Sequence, residues 1–230
     1  MIHAGIYYPP GSLKARLCVE GNRRLYEFCR RWDVPHLKTG KLIVARDDDE
    51  VAALETLLAR GEANGVAGLE LIDGRRVREI EPAVKARAAL ISPASGIVDS
   101  HQLMARLEWQ AREGGAVMLY RREVVAIEPL AEGYRIDCQR EDGMTEALAC
   151  SWLVNSAGLG SDRVASLAGI DIDRSGYRLQ PCKGEYFAVR GAGSRLTSRL
   201  IYPPPLAGLK GLGIHATRTL DGRLRLGPNA

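Results

Sequence analysis

No apolar run in this 230-residue chain approaches the roughly 18 residues that a membrane-spanning helix needs, and no basic-then-apolar leader opens it. A spanning segment is therefore not expected, while contact with a membrane surface stays open. The five cysteines, Cys18, Cys29, Cys138, Cys150 and Cys182, are scattered and include no C-x-x-C pair. Such spacing speaks against zinc sites and a disulfide framework, and for reduced thiols in the cytoplasm. The net charge of +4 is dispersed, without an arginine stripe, a zinc finger or an RNP-like segment, so nucleic acid is not an expected partner. His101 has no second ligand at a helical or hairpin offset, and the run Asp47-Asp48-Asp49-Glu50 stands where a helix starts. Neither predicts a metal site. Internal repeats and low-complexity linkers are missing as well.

What is present is a globular composition, 46% hydrophobic and 26% charged, over a length that fits one large domain or two small ones. Ser12, followed by Leu13, Leu17, Cys18, Leu25, Phe28, Cys29 and Trp32 at three- and four-residue steps, predicts a capped amphipathic helix ending near Asp33. Lys14 and Arg16 oppose the dipole of its first turn, so they are either solvated or near an anionic ligand. Lys41-Leu42-Ile43-Val44-Ala45 reads as a strand, followed by a helix through Val51, Leu54, Leu57 and Leu58. Short strands are expected around 69–72, 89–91 and 96–98, with a helical turn at Val77 and Ile80 between the first two. A helix then carries Leu103, Met104 and Leu107 on one face. From Ala116 the period changes to strands, one at 117–120 and a meander at 123–127, 134–138 and 147–150. The last third is β-rich, at 183–189, 200–202, 213–217 and 223–226, with a hairpin turn at Asp221-Gly222.

The chain is organised around the stretch that begins Trp152-Leu153-Val154. That run suits a buried strand, and Ala157, Gly158 and Gly160 then remove side-chain bulk where the backbone turns. Ser161 or Asp162 can cap the helix that follows. A strand, a bare turn and a helix start give a cofactor backbone to lie against, although an ordinary βα turn looks the same. Arg163 stands where the third glycine of G-x-G-x-x-G belongs, so this is not the primary pyrophosphate loop.

Several segments, in this order, carry a resemblance: His3-Ala4-Gly5-Ile6-Tyr7-Tyr8 with Pro10-Gly11-Ser12-Leu13-Lys14-Ala15, Gly40-Lys41-Leu42-Ile43-Val44-Ala45, Asn155-Ser156-Ala157-Gly158-Leu159, Lys183-Gly184-Glu185-Tyr186, and Gly213-Ile214-His215-Ala216-Thr217 through to Gly227-Pro228-Asn229-Ala230. Together they resemble the flavin-dependent oxidoreductases of the D-amino-acid oxidase and glycine oxidase superfamily, and within it the L-2-hydroxyglutarate oxidase/dehydrogenase family. The resemblance implies an α/β (α+β) chain, in which part of an FAD-binding Rossmann-like domain is interleaved with an antiparallel-sheet substrate domain. Residues 1–40 and 100–172 would belong to the first, and 41–99 and 173–230 to the second. FAD would be the cofactor, a 2-hydroxy acid such as L-2-hydroxyglutarate the substrate, and oxygen or a quinone the electron acceptor. Family members place a G-x-G-x-x-G loop ahead of these segments and a further glycine segment after them, so a fragment of a longer enzyme is expected. Its place would be the cytoplasm, with contact at the inner-membrane surface left open.

By the same resemblance His3, Ala4 and Gly5 would run beside the flavin ring, and the backbone of Val124, or of Val125 one position on, would meet the adenine end. Ser156, Ala157 and Gly158 would let the chain pass close to the cofactor. Oxidising a 2-hydroxy acid requires a base on the substrate side of the ring, and a neutral histidine suits that task. His215 is the favoured base, with His3 as the alternative. Carboxylates of the substrate need cations or hydroxyl donors, for which Lys14, Lys183, Arg218, Tyr8 and Tyr202 are the candidates. Two other readings stay open, an amine or amino-acid oxidase of the glycine or sarcosine type and a non-catalytic remnant.

Overall fold

Ser12 opens the first helix as its position requires: its hydroxyl accepts the Ala15 amide at 3.2 Å ahead of α1 (Leu13–Arg31). The structure, a computed structural model, describes residues 1–205 and 213–229. Ala230, which ends the last family-like segment, lies outside the described residues. The chain divides into two compact units, Met1–Ala111 with Lys183–Ala230, and Arg112–Cys182.

In the first unit β1 (His36–Leu37) pairs with β5 (Ile97–Val98), and seven further strands form one sheet. These are β2 (Lys41–Ala45), β3 (Glu70–Asp73), β4 (Ala88–Ser92), β9 (Phe187–Ala188), β10 (Leu200–Tyr202), β11 (His215–Arg218) and β12 (Leu224–Gly227), in the order β3-β4-β2-β10-β11-β12-β9. Only the β2–β10 pair is parallel. Strand β2 sits mid-sheet, so Ile43 and Ala45 enter a core with Leu90, Leu200 and Tyr202 while Leu42 enters a second core with Ile72, Val77 and Ala89. Burial on both faces is why β2 reads as an unbroken apolar run after its first residue. Helix α2 (Asp48–Ala63), capped by Asp47, supplies Leu54 and Leu57 to the first core, and α3 (Gly74–Ile80) supplies Val77 to the second. Helix α4 (Ser100–Glu113) starts from Asp99, whose carboxylate accepts the amides of His101 and Gln102 at 3.0 Å. The expected strand at 183–189 shrinks to the two residues of β9.

The second unit is a meander of β6 (Arg122–Pro129), β7 (Tyr134–Arg140) and β8 (Thr145–Cys150), with α5 (Ser161–Leu167) against it. Ile127, Ile136 and Cys138 form its small core with Val124, Leu153, Val164 and Leu167. Two expected strands do not form here. Residues 117–120 and 152–154 belong to no strand, and Val117, Trp152 and Val154 are 80%, 88% and 82% exposed. A strand exists only where a neighbour takes its N–H and C=O groups, and neither segment has one among the described residues. Helix α5 follows a turn of 3₁₀-helix (Gly158–Gly160) and is preceded by Gly160, with no side-chain cap from Ser161 or Asp162.

All five cysteines are free: Cys29 and Cys138 are buried, Cys18 and Cys150 half-buried and Cys182 exposed. Among the described residues no helix is long and apolar enough to cross a membrane.

Candidate functional site

The loop before α1 is held by backbone and side chains from three directions. Ile2 and Gly96 exchange amide-to-carbonyl bonds at 2.7 and 3.0 Å. Asn22 on α1 donates to the His3 and Ala94 carbonyls at 2.8 and 2.9 Å. Asn64, just after α2, donates to the Gly5 and Tyr8 carbonyls, each at 2.9 Å. Gly5 takes φ +100°, a conformation that side chains resist, and Ala4 is buried beside it. His3, Tyr7 and Tyr8 are thereby fixed on a loop that would otherwise be free.

Beneath this loop the sheet presents a run of stacked side chains. The ammonium of Lys41, 1% exposed, lies 4.8 Å from the centre of the Tyr7 ring and 4.4 Å from that of Tyr202. Tyr202 in turn lies flat on His215, with centroids 4.0 Å apart and planes 13° from parallel. Strand pairing explains the arrangement: β10 lies between β2 and β11, so Lys41, Tyr202 and His215 come from three adjacent strands. The His215 Nδ1 is 3.0 Å from the Gly213 carbonyl, and Nε2 is 2.9 Å from the Tyr186 hydroxyl. A carbonyl only accepts, so the neutral ring carries its proton on Nδ1 and keeps an accepting lone pair on Nε2.

The electrostatics follow from burial around a single cation. Desolvation, with the charge of Lys41 added, depresses His3 to about 4. The amino group of Met1 and Lys14 push it in the same direction. His215 is lowered as well, by burial first and by Lys41, against an opposing bond to Gly213. Burial pushes Tyr202 up to about 12 and raises Tyr7 further, and the Tyr7 hydroxyl is buried without a partner among the described residues. Lys41 itself is pulled down by burial to about 8.

The other sequence candidates in this unit lie in varied settings. Lys14 sits over the Tyr8 ring at 4.8 Å. Lys183 is exposed and paired with Glu185 at 2.7 Å, and that carboxylate also holds Asn229. Arg218 donates to the Ser198 carbonyl at 3.2 Å, while its Nε is buried without a partner among the described residues. The sequence reading overlooked Lys41, Tyr186 and Tyr7 as site residues. Lys41 had a signal, a charged residue opening a strand whose remaining residues are all apolar.

In the second unit, Val125 is a bulge: the register steps from Val124 opposite Cys138 to Ala126 opposite Asp137. The Val124 carbonyl accepts from Arg163 at 3.2 Å. Asn155 braces the turn beyond it, accepting the Ala157 amide at 3.2 Å and donating to the Ser161 carbonyl at 2.8 Å. Ser156, Ala157 and Gly158 are exposed on that turn, and a Cβ at Gly158 or Gly160 would meet nothing within 4 Å.

The fold superposes with a TM-score of 0.82 on L-alpha-glycerophosphate oxidase from Mycoplasma pneumoniae with FAD bound, at 24% identity over 99% of this chain and 59% of that one. Against glycine oxidase from Geobacillus kaustophilus the TM-score is 0.73, at 16% identity over 98% of this chain and 58% of that one. The sequence then places the chain more closely: the model of the FAD dependent oxidoreductase family matches residues 1–230, and the chain belongs to that family. It is 40% identical to the mitochondrial L-2-hydroxyglutarate dehydrogenase of Caenorhabditis elegans over 232 residues, which are all of this chain and 52% of that protein. The protein of the same name from Homo sapiens is 37% identical over 239 residues, all of this chain and 50% of the relative. The chain thus spans about half the length of the curated relatives it matches.

Proposed function

We propose that the protein carrying this sequence oxidises an L-2-hydroxy acid, L-2-hydroxyglutarate first among them, to the 2-oxo acid. The observation that supports it most is His215, neutral and fixed in tautomer, with an accepting Nε2 and a buried cation in the same stack. That is what removal of a hydroxyl proton from an anionic substrate requires. The likeness of the whole chain to proteins named for that substrate points the same way.

The residues present fit the family's cofactor. The Tyr7 hydroxyl is a buried donor without a partner among the described residues, and the bare corner at Gly158 and Gly160 leaves backbone open to a close neighbour. In the first unit His3, Ala4 and Gly5 would run beside the ring end of FAD; in the second the backbone of Val124, or of Val125 one position on, would meet the adenine end, and Ser156, Ala157 and Gly158 would let the chain pass close to the cofactor. When bound, FAD supplies the two-electron acceptor. This chain's own residues do the rest: Nε2 of His215 accepts the hydroxyl proton through Tyr186, and the bond to Gly213 keeps the ring from rotating. Lys14 and Tyr8 receive substrate carboxylate, with Tyr202 forming a wall of the site; Lys183 and Arg218 would have to release Glu185 and Ser198 to join them. His3 is the alternative base. Segments 41–99 and 173–230 act as the substrate domain, supported by their strands sharing one sheet, and 1–40 and 100–172 as the cofactor part.

The test is direct. The purified chain is mixed with FAD, desalted, and checked for retained flavin absorbance. L-2-hydroxyglutarate, glycine and sarcosine are then added without oxygen. Bleaching by L-2-hydroxyglutarate alone is expected. Bleaching by glycine or sarcosine instead would replace this reading with an amine oxidase, and a colourless chain would leave a non-catalytic role. Oxygen uptake against reduction of a quinone analogue then distinguishes the two acceptors.

A further inference from the structure

Among the described residues Lys41 is the one buried lysine or arginine of the sheet, and they offer it no counter-charge. Among the described residues it makes no ion pair and no hydrogen bond to a carboxylate. The groups that face it are the thiol of Cys18 and the phenols of Tyr7 and Tyr202, together with His3, His215, the Met1 amino group and, nearest His3, Lys14. Burial keeps the thiol and both phenols protonated, and so uncharged, at neutral pH. Every neighbour is therefore neutral or positive. Leaving an ammonium in such a place is costly, and a packed apolar side chain would ordinarily be the more stable choice. What the cation does obtain is contact with two aromatic faces, and one of these, Tyr202, is the ring that lies flat on His215.

We propose that Lys41 is a positioning residue for the proton-accepting histidine: its caged ammonium locks Tyr202 against His215 and presents that imidazole in its neutral form. The uncompensated charge opposes a second positive charge on His215 or His3, so both rings keep a free lone pair at the pH where the site works. The same charge has one natural counter-ion, an anionic group arriving with the substrate. This meaning rests on the hydroxy-acid reading above, but the geometry and its test do not.

The test reads the histidines themselves, in the chain without flavin. The sequence has four, so ring-proton NMR gives four titrations, with His36 and His101 as references outside the stack. Lys41→Met keeps the length of the side chain and removes its charge, and Lys41→Arg keeps the charge. In K41M the titrations of His215 and His3 move up by about one unit while the references stay, and the ring-current shift that Tyr202 imposes on His215 diminishes. In K41R both titrations stay near those of the parent chain. If neither variant folds, the parent decides: the His215 ring signals show a second inflection near pH 8, where Lys41 loses its proton, and those of His36 and His101 do not. A folded K41M with unmoved His215 and His3, or a parent without that inflection, overturns the proposal. In flavin-loaded protein the acid limb of kcat moves up with the same variant and returns with K41R. Moved titrations without bleaching by L-2-hydroxyglutarate would sink the proposed function and spare Lys41, and the reverse result would do the opposite.

Discussion

Tyr202 covers one face of His215 at a ring separation of 4.0 Å, and this contact ties the candidate base to the middle of the sheet, in addition to its bond to Gly213 in the loop before it. The ring does the orienting: its hydroxyl donates to the Met1 sulfur at 3.7 Å and is hydrogen-bonded by Thr217, and neither bond involves His215. Removing the hydroxyl and removing the base should therefore have unequal effects. Tyr202→Phe should leave turnover within about threefold of the parent, whereas His215→Asn should lower kcat by ~10²-fold or more. Steady-state kinetics on flavin-loaded protein compare the two. Equal losses would show that the Tyr202 hydroxyl matters to turnover as much as the imidazole does, and that the ring is not its whole contribution.

Tyr186 is the second group on the proton's route. Its hydroxyl fills the Nε2 lone pair at 2.9 Å, so a substrate proton reaches His215 through the phenol unless Tyr186 moves away. Tyr186→Phe should lower kcat roughly 10-fold to 100-fold with little change in KM. A rate close to the parent would mean that the substrate hydroxyl takes the place of Tyr186 on the imidazole.

Much of this was legible in the chain. The step pattern from Leu13 to Trp32, the run from Lys41 to Ala45 and the capping Asp47 each lie in an element whose packing agrees with its local preference. The sequence points to both His215 and Tyr202 as candidate site residues, but the contact between them depends on β10 lying beside β11, which no local pattern encodes. Lys41 is hidden for the same reason: in the sequence it is a polar end to a strand, and only the sheet order puts it against Tyr202. The apolar runs at 117–120 and 152–154 mislead in the opposite sense. Their composition suits a buried strand, yet strand formation is decided by a neighbouring edge and not by composition.

The depressed histidines also set the acid stability. In the unfolded chain His3 takes up a proton near 6.5, but in the folded chain only near 4, so between those values the unfolded state binds more protons. His215 is shifted in the same direction. The histidines' contribution is thus complete above pH 6.5 and falls as the pH drops toward 4, by about 1–2 kcal/mol for His3 once solvent screening is allowed for. Lys41 acts at the other end. It releases its proton near 8 when folded and near 10.5 when unfolded, so its own contribution rises from pH 8 toward 10. The thiols of Cys18, Cys29 and Cys138 and the phenols of Tyr7, Tyr26 and Tyr202 are shifted up by burial and act with the opposite sign over the same range. Denaturant midpoints across pH 4 to 10 should therefore show the acid slope in the parent, and K41M should lose more stability than the parent between pH 8 and 10. A K41M that tracks the parent over that range would contradict the burial of a charged Lys41.

Gly96 carries the last relationship, because the loop that presents His3 is tied to the rest of its unit through the backbone of this residue. Its amide and carbonyl are both used by Ile2, and a Cβ there would run into the carbonyl of Leu37 and the hydroxyl of Tyr26. The first of those is backbone already committed to the β1–β5 pair, so it cannot swing aside as a flexible side chain would. Gly96→Ala should therefore destabilise the chain by about 1–3 kcal/mol, in line with other overpacked sites. Gly143 makes the matched control, since a Cβ there would meet no atom within 4 Å and only its positive φ of 83° resists the change. Urea unfolding of both variants separates crowding from backbone preference. If G96A loses no more than G143A, the Ile2–Gly96 bridge yields easily and cannot be what holds His3 in place.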